Sequence, residues 1–408
     1  MNRKAVMLAG AALVTGTVAA RAWENDLSLV ATIDVGGKGL GTFDISFVDP
    51  KIDLYVLADR TNASVDFVNT ETNQFLGRAS GFQGQKFKAD GVTADNTISG
   101  PDGVVIVNHK EVWAGDGDST LKVVDIKSMS IKHTIKIDDP THPGATFRVD
   151  EMTWDVADRV VVAANNANVP PFISFVNVDS HKVLGQIVFD GNNNTPDATD
   201  TGIEQPAWSP KTGLIYVSVP QIVQGTDDAS VRRGGISVID PHTMKVLTTY
   251  EVDDCSPAGL TIGPNDHALI GCSAQIGTAP NKTTQTFVIN LLTGELSDPI
   301  PIGGSDQVWF DRGTNHYYLG ARNNLMNGAP DPILGSVDAS NNTFDGRAST
   351  STTAHSVAAD QFEHKVFVPI GFVPPGSAQG TDPTNPCPEH GCIAVFVPTV
   401  ADRVAERE

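Results

Sequence analysis

Residues 201–218 read TGIEQPAWSPKTGLIYVS. Pro206, Ala207 and Trp208 lead into Ser209-Pro210-Lys211-Thr212-Gly213, and Leu214-Ile215-Tyr216-Val217 follows. Proline and glycine bracket a short polar segment, which makes a tight turn. The β-branched and aromatic run after it makes a strand. The stretch is therefore a β-hairpin. One residue stands out: Glu204 puts a carboxylate where the first strand begins.

The hairpin recurs along the chain. FDISFVDPKIDLYVLA (43–58), DGVVIVNHKEVWAG (102–115), VDEMTWDVADRVVVAA (149–164), PAGLTIGPNDHALIGC (257–272), SDQVWFDRGTNHYYLGA (305–321) and AHSVAADQFEHKVFVPI (354–370) are its other copies. A third strand follows each copy, and usually a fourth, as in SVDFVNTETNQFLGRA (64–79) and GISVIDPHTMKVLTTY (235–250). The unit returns about every 50 residues, in the range of propeller blades. The last unit supplies three strands, and the spare strand LSLVATIDV (27–35) lies before the first. Adding it to the last blade closes the ring and removes two raw sheet edges. The prediction is an all-β chain: a seven-bladed β-propeller over 23–400, its last blade closed by the N-terminal strand of the mature chain, with 401–408 as a tail.

The first 22 residues read as a signal peptide. Arg3 and Lys4 precede an apolar run, and Ala20-Arg21-Ala22 supplies a small-residue cleavage pattern. No later segment is long and apolar enough to span a bilayer. A formal net charge of -20 disfavours nucleic acid as a partner. Export favours pairing of the four cysteines, as Cys255–Cys272 and Cys387–Cys392, over a metal site at Cys387, His390 and Cys392. These features predict a periplasmic or secreted protein. No C-x-x-C-H attachment site occurs, so haem is not expected. Glycine-rich loops precede strands rather than helices, so a nucleotide is not expected either.

The run LIYVSV (214–219) with GGISVIDPHTMKVLTTYEV (234–252) resembles the YVTN-type repeats of bacterial β-propellers, including the YncE-like group. The resemblance covers most of the mature chain and implies the fold. Propellers of this kind include lactonases, electron-transfer subunits and binding proteins, so it implies no single function.

The long insertions share one face. They are 81–99, 136–148, 190–202, 221–235 and 371–391. Turns on the opposite face are short, so the long-loop face is the expected functional one. Stepping back five residues from each turn opener reaches Asp44, Gly103, Asp150, Glu204, Ala258, Asp306 and His355. Four carboxylates and a histidine should thus ring the mouth of the axial channel on that face.

Crowded carboxylates are relieved by a cation, a shared proton or a basic partner. Asp44, Asp150, Glu204, Asp306 and His355 form the candidate metal set: Ca²⁺ or Mg²⁺ for the oxygens, Zn²⁺ or Mn²⁺ if the imidazole joins. Asn165, Asn166 and Asp116 are further candidate ligands, and Arg60, Arg148 or Arg322 would instead neutralise the ring. The expected function is binding of a small molecule, a metal ion or a partner protein at this mouth. The alternative is a metal-dependent hydrolase or lyase of the lactonase type, with His355 or Glu204 moving the proton.

Overall fold

The computed structural model describes residues 27–222, 233–274, 283–372, 385–387 and 389–399. The predicted signal peptide, the C-terminal tail and the middles of the 221–235 and 371–391 loops lie outside the described residues. Each repeat copy folds as the antiparallel hairpin that its turn chemistry dictates. Asp49, Asp155, Asp311 and Asp360 accept backbone N–H groups two or three residues on, at 2.8–3.1 Å. This side-chain bond holds the chain reversal in place of a longer loop.

Among the described residues this gives seven antiparallel blade sheets, beside a two-stranded ribbon of Leu325–Met326 and Ala329–Pro330. Their innermost strands are Phe43–Asp49, Val104–Val107, Met152–Asp155, Pro206–Trp208, Ser256–Ile262, Val308–Asp311 and Ala358–Asp360. Six blades hold four strands each. Blade five has three, and its outer edge is reduced to the bridges Thr286–Ile300 and Ile289–Leu296. Leu27–Ile33 pairs with Cys392–Pro398 in blade seven, from Leu27 opposite Pro398 to Ile33 opposite Ile393. The first strand of the described chain therefore completes its last blade. Among the described residues no helix is long and apolar enough to cross a membrane.

Apolar side chains meet between blades rather than in one central core. Trp113, Leu121 and Val123 of blade two pack on Val161, Phe172 and Val176 of blade three. At the closure, Ile33 and Val35 pack with Tyr55 and Leu57 of blade one and Phe367 and Val395 of blade seven. Disulfides join Cys255 to Cys272 and Cys387 to Cys392. The first links neighbouring strands of blade five, and the second ties the end of the last long loop to the strand that follows it.

Two outcomes test this architecture. Removing residues 27–33 should expose the edge of Cys392–Pro398 and convert a cooperative melt into aggregation, read by size-exclusion chromatography and calorimetry. Replacing Cys255 and Cys272 together by alanine should cost about 3 kcal/mol, from a loop near the 15-residue scale, measured by denaturant unfolding.

Candidate functional site

The site begins with how neighbouring innermost strands touch. Ile45 N–H donates to the carbonyl of Asp102 at 3.3 Å, Gln205 to Ala258 at 3.3 Å, Gly259 to Asp306 at 2.9 Å, and Gln307 to His355 at 3.0 Å. In each case the residue after a ring position reaches the ring residue of the next blade. Gly103 and Gly259 show how close the blades come. A Cβ on either would lie 2.1 Å from a carbonyl oxygen, that of Asp150 or of Asp306.

This lacing corrects one assignment. The blade-two ring position is Asp102, not Gly103. Val107 pairs with Glu111 in blade two, whereas Asp49 pairs with Leu54 in blade one, so the blade-two turn is one residue shorter. Asp102 N–H donates to Gly115, as Asp150 does to Ala164 and Glu204 to Ser218. A step counted from Asn108 therefore lands one residue late. Pairing the two strands of that hairpin from their far ends would have found Asp102. The ring holds five carboxylates and one histidine, and Ala258 is its neutral member.

Asp44, Asp150, Glu204, Asp306 and His355 all line one cavity of about 470 Å³, together with Glu151. Ala94 and Asn96 of the blade-two loop and Thr352 and Thr353 of the blade-seven loop complete its rim. The three candidate arginines are inside it too. Arg60 bonds both Asp44 and Asp102. Arg148 Nη2 lies 2.7 Å from Asp150, and its Nε donates to Asn166 at 3.0 Å. Arg322 Nη2 lies 3.1 Å from Asp306. Asn166 also bonds Asp150. Asp116 is elsewhere, held by Lys122 and the Gln83 N–H, and Asn165 accepts from Ser174.

The acids consequently divide. Burial acts to raise the Asp44 carboxyl, but Arg60, His355 and Arg148 outweigh it and hold the group well below the usual range. Burial pushes Asp150 up to about 6 against the pull of Arg148. Burial also drives Asp102 well above its ordinary value despite Arg60. Among the described residues Glu204 and Glu151 have no arginine in contact. Burial and then repulsion, from Asp150 and Asp306 on Glu204 and from Glu204 and Asp150 on Glu151, push both well up. Six carboxylates thus share three arginines. The His355 ring stacks on Phe43 at 4.7 Å, and its Nδ1–H donates to the Thr353 carbonyl at 2.8 Å. That leaves Nε2 facing Asp44 at 3.4 Å.

No protein-family model and no curated protein matches the sequence. Solved structures do. A chain of Kuenenia stuttgartiensis hydrazine synthase aligns with a TM-score of 0.58 at 12% identity, over 88% of this chain and 96% of that one. U3-55K aligns with a TM-score of 0.59 at 9% identity, over 91% and 98%. The likeness is one of fold. At such identities it carries no ligand and no activity to this mouth.

Among the described residues no three His, Cys, Asp or Glu side chains are grouped as a metal-chelating set. Among the described residues the mouth offers a polar cavity with more carboxylates than arginines. Glu204 reads out that imbalance. Its folded carboxyl is raised above the ordinary value of 4.5, so the native state keeps a proton that the unfolded chain gives up. The stability this contributes is complete below that value and is lost as pH rises through the folded one. Glu204→Gln, in buffer free of divalent cations, should therefore raise the melting temperature by a few degrees at pH 8 relative to wild type and by much less at pH 5. A drop at pH 8 would mean that the carboxylate already has a compensating partner.

Proposed function

We propose that this is an exported binding propeller whose mouth takes up a small, hydrogen-bonding cation. The observation that carries the reading is the division of the ring acids. Among the described residues Asp44, Asp150 and Asp306 each contact an arginine, while Glu204 lines the cavity without one. A divalent metal ion or a primary amine at Glu204 would balance the charge that the arginines leave over. Asp306 and His355 are next along the rim. Two disulfides support residence in an oxidising compartment, periplasmic or extracellular.

One feature favours the hydrolytic alternative. His355 has one ring nitrogen donating to a backbone carbonyl and the other beside the Asp44 carboxylate, so the ring is held in one orientation from which a proton can be passed within the mouth. In that reading a cation at Glu204 polarises a carbonyl, and His355 moves the proton.

Calorimetric titration at pH 8 with Ca²⁺, Mg²⁺, Mn²⁺, Zn²⁺ and a short diamine decides between occupancy and a merely hydrated funnel. At least one should bind with a stabilising thermal shift, weakened tenfold or more by Glu204→Gln. No heat and no shift from the whole panel would dismiss the reading. A lactone and ester panel on the metal-loaded protein, with His355→Gln as the comparison, separates the enzyme from the binding module.

A further inference from the structure

The position after each ring residue has a structural task in two blades. Gln205 Oε1 accepts the N–H of Leu260 in the next blade at 2.9 Å. Gln307 Oε1 accepts the N–H of Val357 at 3.2 Å and that of Ser46 at 3.3 Å, with the Ser356 hydroxyl alongside. In blade three the same position is Glu151, and the residue matching Leu260 and Val357 in the next blade is Pro206. Proline has no N–H to give. Both Glu151 oxygens are accordingly buried without a hydrogen-bond partner among the described residues, on a side chain only 2% exposed.

Glu151 stands at the waist of the propeller axis. It lines the mouth cavity above and a second cavity of about 320 Å³ below, towards the short-turn face. Aromatic rings wall the lower cavity: Phe47, Trp154, Trp208, Trp309 and Phe310. Phe47 and Trp309 meet edge to face at 5.2 Å. Each of these rings packs against a blade core while remaining partly exposed to the channel. The other polar groups on the wall are already used. Thr153 accepts from the Trp208 N–H and Thr261 from the Phe310 N–H, both at 3.1 Å, and the two glutamines bond neighbouring blades. Among the described residues the Trp208 indole N–H is buried without an acceptor.

We infer that this lower channel is a second binding site, for an alkylated ammonium ion that enters from the short-turn face. A buried glutamate without a hydrogen-bond partner and a wall of aromatic rings suit a weakly hydrated organic cation, whose charge would favour the ionised carboxylate that burial otherwise opposes. They do not replace the six or more oxygens that a calcium-like ion takes. The inference is independent of the mouth reading, because it concerns the opposite opening and a different ligand chemistry.

Tryptophan emission reports this site selectively. Three of the chain's five tryptophans line the lower channel, and among the described residues none lines the mouth. The purified full-length protein is titrated with tetramethylammonium chloride at constant ionic strength, with tert-butanol as the neutral isostere and sodium as the inorganic cation. Saturable change of emission with tetramethylammonium, confirmed by calorimetry and absent with the other two, is expected. Glu151→Gln should weaken it at least tenfold. Trp154→Leu, at the partly exposed wall, should weaken it severalfold and keeps the inference testable if the Glu151 variant fails to fold. Equal binding of tert-butanol, unchanged affinity in either folded variant, or no saturable signal would overturn the site. Glu151 borders both cavities, so it is the Trp154→Leu result, at a residue that does not line the mouth, that separates this site from the mouth reading.

Discussion

At four of the seven junctions between blades, a backbone N–H of one innermost strand reaches the carbonyl of the residue at the start of the next. That contact places everything near the axis. It fixes the height of each blade relative to its neighbours, so a given repeat position recurs at the same level around the ring. It also demands close approach, which is why Gly103 and Gly259 sit where any Cβ would strike a carbonyl. A slip of one residue would turn the ring side chains away from the channel, the usual penalty of a shift in β register.

The same geometry creates an electrostatic problem. Five carboxylates are brought to one level of a narrow channel, and Glu151 is added just below. Arg60, Arg148 and Arg322 answer part of it: Asp44 is held below its ordinary range, while burial keeps Asp102 and Asp150 raised despite their arginine contacts. Glu204 and Glu151 are raised by burial first and by neighbouring carboxylates second. Buried like charges of this kind cost stability and are more common at functional sites than elsewhere. Pro206 adds to the imbalance by withholding the donor that corresponding residues of two other blades supply.

Some of this was legible in the chain and some was not. The repeat period, the Asp- and Ser-opened turns and the spare strand at residues 27–35 specified seven blades and their closure, because each is a local signal read against a period of two. The shared level of Asp44, Asp150, Glu204, Asp306 and His355 was legible for the same reason. Asp102 escaped because the turn at Asn108 is one residue shorter than in the neighbouring repeats. The lower aromatic channel escaped because Phe47, Trp154, Trp208, Trp309 and Phe310 look like ordinary strand residues one by one.

The sequence by itself determined the unit: hairpins of fixed register, repeated until a ring could close on its own first strand. Turn chemistry and side-chain alternation act between residues a few positions apart, so they can be read in one dimension. Only the tertiary structure decided which acids keep an arginine. Arg60 meets Asp102 across 42 residues of chain, and Glu151 lacks a donor because of a proline 55 positions on. Such pairings depend on which blade stands beside which and how closely, and therefore on the packing of the closed ring.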